Sequence, residues 1–276
     1  PPRLPIELIE KVLAELTFPE SRCELQHCSL VCRAWLPITR EHLLPTLFLE
    51  LSQNSRFERF IALATHPLSS LHCCAFRGLV IMCPEGVGSQ PAAITLMRQL
   101  HPFLIHGNRA TGRSIAKETL WNIRTIRVCE ARPVILSIVI RLAREAGCFS
   151  RVTQLDLFQC SFDSPELLGD LLNVFPNIKG THISYPTYTF TPTVDMTLAA
   201  LPPTFCYLQL SRNYGLLSLF SSCRTLEELI LRPPYIDEQA EIVEQFFRDP
   251  GNRVKKSHSA LSLDDPIIGP CEYSIK

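Results

Sequence analysis

Val152-Thr153-Gln154-Leu155-Asp156-Leu157-Phe158-Gln159-Cys160 decides how most of this 276-residue chain is read. Its apolar side chains stand at the first, fourth and sixth places. The alternation across Leu155 and Leu157 is that of a strand with one face in a core. The same spacing occurs at Ile123-x-x-Ile126-x-Val128, Ile178-x-x-Thr181-x-Ile183, Phe205-x-x-Leu208-x-Leu210 and Leu226-x-x-Leu229-x-Leu231. Successive middle positions lie 29, 26, 27 and 21 residues apart, room for one strand and one helix in each interval. An ordinary α/β sandwich competes with a repeat, because this spacing arises by chance in a leucine-rich chain. Five occurrences at near-regular intervals favour the repeat.

The pattern resembles leucine-rich repeats, whose leucines point inward from a short strand while the intervening positions face the concave surface. Cys160 and Asn213 each follow the third apolar place by three residues, where that family has an Asn or Cys bonded to the turning backbone. Helical stretches fall between the strands at Pro133 to Ala146, Pro165 to Val174, Tyr214 to Ser222 and Asp237 to Phe247. Upstream, Leu44-x-x-Leu47-x-Leu49 and Leu68-x-x-Leu71-x-Cys73 look like degraded copies around a helical Arg56 to Ala64. Val80 to Thr119 fits less well, with a loop at Pro84 to Pro91 and a helix from Ala92 to about Leu104. The Thr- and Pro-rich stretch Tyr185 to Pro203 reads as a long surface connection.

Ahead of this array, Ile6, Leu8, Ile9, Val12, Leu13 and Leu16 recur at helical spacing behind Leu4-Pro5, where a proline has no hydrogen bond to lose. A second apolar run, Glu24 through Leu44, carries Leu25, Cys28, Val31, Cys32 and Trp35, and Pro37 predicts a helix end or kink near Leu36. Leu-Pro at a helix start, an apolar run, and Val31-Cys32-Arg33-Ala34-Trp35 about thirty residues on together resemble an F-box. Such a segment is too short to be stable alone and displays more large apolar side chains than three short helices can hide. The resemblance implies docking on a Skp-family adaptor of a cullin complex, with Leu4, Pro5, Ile9, Leu13, Leu30, Val31, Cys32 and Trp35 facing the adaptor or ordering the module.

The fold expected is α/β: an F-box-like three-helix module at 1–45, a degenerate leucine-rich-repeat solenoid of strand plus helix at 46–250, and a C-terminal cap with a flexible tail at 251–276. Charge is balanced at 27 basic and 27 acidic residues, which gives no sequence-wide field for nucleic acid. The balance hides an asymmetry. Arg98 to Arg151 holds ten basic and three acidic residues, whereas Asp156 to Asp249 holds five and twelve. Twelve cysteines scattered through apolar stretches, without a secretory leader, read as reduced thiols of a soluble cytoplasmic or nuclear protein. The longest apolar run, Pro133 to Ile140, is too short to span a bilayer.

Chemistry-bearing motifs are weak. Gly107-x-x-x-x-Gly112-Arg113-Ser114 lacks the lysine and leading strand of a phosphate loop, and Gly86-x-Gly88 lacks the third glycine. Cys28 and Cys32 share one helical face with Cys23 and His27 nearby, but zinc usually takes two close ligands from each of two segments, and His72-Cys73-Cys74 would supply the second only by an unlikely fold. No Ser/His/Asp or Cys/His arrangement stands out. The sequence therefore predicts a non-catalytic receptor without cofactor or metal, binding an adaptor and an unknown target protein. A repeat scaffold without ubiquitin function is the alternative, and a nucleotide-binding enzyme at Gly107 a distant third. Arg124, Arg127, Asp156, His182 and Gln209 are the expected target-facing residues, with an acidic or phosphorylated segment drawn to the Arg124 and Arg127 end.

Overall fold

The computed structural model describes residues 5–15, 22–31, 35–43, 46–50, 59, 62, 76–83, 95, 120–147, 149–190, 198, 200–212, 214–232, 237–248 and 254–259. Helices α1 (Ile6–Glu15), α2 (Arg22–Val31) and α3 (Trp35–Leu43) come first. One turn separates Ile9 from Leu13, so both fall on one face of α1, and they are buried with Leu25 of α2. Cys28, Trp35, Ile38 and Leu43 pack around these three. The second apolar run is not one helix broken near Leu36. A helix ends at Val31 and another starts at Trp35, leaving Pro37 in its first turn. A first-turn amide has no carbonyl behind it, so the missing N–H costs nothing there.

From Thr46 the described residues build one sheet of eight strands in chain order, every neighbouring pair parallel. They are β1 (Thr46–Glu50), β2 (Gly78–Met82), β3 (Thr125–Cys129), β4 (Gln154–Phe158), β6 (Gly180–Ser184), β8 (Tyr207–Ser211), β9 (Glu228–Arg232) and β10 (Lys256–Ser259). The short strands β5 (Ser161–Phe162) and β7 (Thr187–Tyr188) form a separate pair. Register aligns Leu47, Leu79, Ile126, Leu155, Thr181, Leu208 and Leu229 in one row. Leu49, Ile81, Val128, Leu157, Ile183, Leu210 and Leu231 form the next. Both rows are buried. The hydroxyl of Thr181 keeps its place among them by donating to the Leu155 carbonyl at 2.8 Å.

Parallel neighbours need a crossover, and the crossovers supply the other wall of the core. Helix α4 (Pro133–Ala146) starts on a proline and closes on Gly147, whose φ of 59° is the left-handed cap that glycine takes without a Cβ clash. Helix α5 (Pro165–Asn173) is capped by Ser164, whose hydroxyl accepts from the Leu167 amide at 3.3 Å. Gly215–Phe220 is a 3-10 helix rather than the expected longer one, since the interval between β8 and β9 is the shortest of the series. Helix α6 (Asp237–Arg248) follows β9. Ile135, Leu136, Val139, Leu168, Leu171, Leu216 and Phe246 of these crossovers join the strand rows in a single cluster.

Strands β4, β6, β8 and β9 are entered through one backbone device, and β3, β4, β6 and β8 are left through another. The carbonyls of Arg124, Thr153, Lys179 and Cys206 each accept two amides from the start of the next strand, at 2.7–3.2 Å. Past the strand ends, Glu130, Gln159, Tyr185 and Arg212 have φ between 51° and 68°. Their amides donate to the carbonyls of Phe158, Ser184, Ser211 and Arg232. A left-handed non-glycine residue costs about 1–2 kcal/mol, and the recurring bond holds it in place.

Three departures from the sequence reading stand out. Strand β2 sits on Phe76-x-x-Leu79-x-Ile81, the same spacing just before the stretch that fitted poorly. Tyr185 to Pro203 is more than a surface connection: Thr187 and Tyr188 pair with Ser161 and Phe162, and Leu198 is buried. The segment 251–276, expected as cap and tail, adds β10 beside β9. Leu68 to Cys73, the loop at 84–91, the glycines at 86, 88, 107 and 112, and Asn213 lie outside the described residues. So do nearly all of the helices expected at 56–64 and 92–104.

Candidate functional site

Two surfaces carry functional side chains. On the helical module the nucleus uses only one side of the apolar stripe. Leu8 and Val12, four residues apart on α1, are 47 % and 56 % exposed, while Leu30 and Val31 at the end of α2 are 82 % and 63 % exposed. Four large aliphatic side chains thus stand in water, and burying each is worth about 1.5–3 kcal/mol. Of the residues expected at the adaptor, Leu30, Val31 and Pro5 are exposed. Ile9 and Leu13 are inside the nucleus, and Trp35 is half-buried against it. Leu4 and Cys32 lie outside the described residues. Leu8 and Val12 were in the stripe but not assigned to the surface. Their signal was the width of the stripe, too broad for one buried face.

The second surface is the sheet face opposite the leucine rows. Its central lane runs Phe48, Val80, Arg127, Asp156, His182, Gln209 and Ile230 in register. Arg127 donates to Asp156 Oδ2 through Nε at 3.3 Å and Nη2 at 3.0 Å, and Gln154 Nε2 donates to Asp156 Oδ1 at 3.1 Å. Further along, Ser184 Oγ lies 2.6 Å and Ser211 Oγ 3.2 Å from His182 Nε2. Gln209 Nε2 is 3.3 Å from the same ring nitrogen, and Tyr207 OH donates to Gln209 Oε1 at 2.6 Å. Burial holds His182 below its ordinary pKa; Asp156 opposes this, while Arg232 and Arg127 add to it. Burial pushes the Tyr207 phenol up.

Asp156 and Gln209, expected among the target-facing residues, are only 9 % and 6 % exposed. Adjacent strands are about 4.8 Å apart, so the long Arg127 and Tyr207 side chains reach over their neighbours. Gly180 makes this possible for Tyr207. A Cβ there would come within 2.5 Å of Tyr207 Cδ1 and 2.8 Å of its Cβ. Arg124 precedes β3 and is exposed, apart from the lane that holds Arg127. Ser184 and His182 approach as a nucleophile and base would, but both oxygens of Asp156 are bonded to Arg127 and Gln154 rather than to the imidazole.

Cys160, expected to hydrogen-bond the turning backbone, is buried. Its thiol donates to the Val128 carbonyl at 3.3 Å, and burial pushes its pKa up to about 12. Burial likewise raises the Cys83 thiol to about 12. Among the described residues no group of three or more His, Cys, Asp or Glu could hold a metal, and no helix is long and apolar enough to cross a membrane.

Comparison with curated proteins gives no match. Against family models, residues 1–44 match the F-box domain, the segment that contains α1 to α3 and the four exposed aliphatic side chains. An F-box domain therefore occupies the first 44 residues of the chain.

Proposed function

We propose that the chain is a non-catalytic substrate receptor of a cullin-type ubiquitin ligase, acting inside the cell. The F-box docks on a Skp-family adaptor, and the following domain, a degenerate leucine-rich-repeat solenoid beginning at residue 46, holds the target protein. The carrying observation is the unpartnered aliphatic group Leu8, Val12, Leu30 and Val31 on the segment that matches the F-box. In support of the solenoid, eight parallel strands follow one another in chain order, and the same turn closes β3, β4, β6 and β8. On this reading β10 carries the array past residue 250, and the sequence limits of 1–45, 46–250 and 251–276 shift at that end alone.

The mechanism is placement. A target held on the sheet and an adaptor held on the helices bring target lysines beside the conjugating enzyme, which raises their effective concentration without a catalytic group in this chain. The test is affinity capture of the intact chain from cell extract with identification of everything retained. Recovery of a Skp-family adaptor and a cullin is expected. Recovery of other proteins with neither of these would favour a scaffold without ubiquitin function.

A further inference from the structure

Strands β6, β8 and β9 end in Ser184, Ser211 and Arg232, which stand side by side in register. Immediately beyond β6 and β8 come Tyr185 and Arg212, both in the left-handed turn. The Tyr185 ring meets Phe158, the last residue of β4, edge to face with centroids 5.4 Å apart. The Arg212 guanidinium lies 4.6 Å from the centroid of Tyr185. Three successive strand ends thus contribute one stacked row, Phe158, Tyr185 and Arg212.

Stacking fixes the plane of a guanidinium and leaves its N–H edge available. Arg212 is exposed, and its side chain makes no hydrogen bond or ion pair among the described residues. Arg127 is the opposite case, already bonded to Asp156. Arg232 places a second positive charge beside the row, and the buried hydroxyls of Ser184 and Ser211 are turned to His182. The next acid along β9, Glu228, is four residues from Arg232, about 13 Å along an extended strand.

We propose that this row beside Arg232 is where the sheet face captures an acidic, unphosphorylated peptide segment of the target. A carboxylate pairs with the Arg212 fork, and the neighbouring peptide lies over Tyr185 and Phe158. The inference rests on the receptor reading above and deepens it by naming the chemistry of the target. One guanidinium edge offers two parallel donors, the complement of two carboxylate oxygens, and the Ser184 and Ser211 hydroxyls, turned to His182, add none for the third oxygen of a phosphoryl group. Glu228 and Asp156 on the same face disfavour a continuous phosphate backbone.

The test pans phage-displayed random twelve-residue peptides on the full chain, then measures the affinity of a synthetic peptide taken from the enriched pool. Enrichment in Asp and Glu is expected from the wild type. Arg212→Glu should bind the selected peptide at least about tenfold more weakly, the scale of one charge-assisted hydrogen bond. Arg212→Lys, which keeps the charge but not the fork, should fall between, and added salt should weaken wild-type binding. Arg141→Glu, on the exposed side of helix α4, should bind as wild type does. Thermal melts establish folding for each variant, and Arg212→Gln serves if Arg212→Glu melts early.

Four results would overturn the inference. They are a wild-type pool without acidic enrichment, equal affinity in the Arg212 variants, binding only when the peptide carries phosphoserine, and displacement of the peptide by a single-stranded oligonucleotide. No adaptor enters the assay. A chain that fails to bind adaptor yet selects acidic peptides through Arg212 would sink the ligase reading and leave this one standing.

Discussion

Leu13 and Leu30 show how far burial separates two apolar residues of one module. Leu13 is fully buried with Ile9 and Leu25, so Leu13→Asp puts a charge into a nucleus of three side chains and should unfold the helices, at a cost of more than about 3 kcal/mol. Any adaptor binding it loses would follow from that. At the sheet, Asp156→Ala should destabilise by about 1–2 kcal/mol, because Arg127 and Gln154 both lose their acceptor while Arg127 retains access to water. A chemical-denaturation midpoint equal to wild type would contradict that network. Apolar identity was legible in the sequence at both leucines. Which side of the helix each occupied was not, because the stripe runs over more than one face. The cover over Asp156 was not legible for a related reason: alternation places it opposite the leucines but says nothing of the neighbouring side chains that reach over it.

At the scale of elements, Gly180 and Tyr207 test whether β6 and β8 are packed as described. Gly180→Ala forces the Tyr207 ring off β6 and should cost about 1–3 kcal/mol. Tyr207→Ala removes the ring but keeps the Cβ, so it should relieve part of this, still making the double variant less unstable than the sum of the singles. Strict additivity would place the ring elsewhere. His182 between these strands gives a pH dependence. Its folded pKa is depressed from 6.5, so below that value the unfolded chain takes up the proton more readily than the folded one. The stability it contributes is present above pH 6.5 and is lost as pH falls. Wild type should therefore lose more melting temperature than His182→Asn between pH 7.5 and pH 5. An equal loss in both would show that the imidazole titrates freely.

Strands were the most legible elements, since their leucines hold fixed places. β2 carried the same spacing at Phe76, Leu79 and Ile81, but Val80 between them masks the alternation. β10 carried no such signal, because Ser257 and Ser259 stand in register with Leu229 and Leu231. Its pairing is a property of the sheet edge rather than of its own side chains.

For the molecule as a whole, the decisive feature is that, among the described residues, buried apolar side chains gather in two clusters, one of three side chains in the helices and one extending through the sheet and its crossovers. A small nucleus with four aliphatic side chains left in water is a poor investment for a chain acting alone, and a natural one for a module completed by a partner. The architecture from β3 to β9 could be read from spacing, and the F-box from order and spacing of a few residues. The target could not, since the face that would hold it is built from residues whose partners lie on neighbouring strands. The most direct test of the receptor reading is calorimetric titration of purified Skp-family adaptor into the full chain and into its Leu30→Asp/Val31→Asp variant. Both substituted side chains are exposed, so the variant should melt as the wild type does. Adaptor binding by the wild type and at least about hundredfold weaker binding by the variant are predicted, since two buried aliphatic contacts are lost. Equal affinity for the two, or no binding by the wild type, would contradict the account.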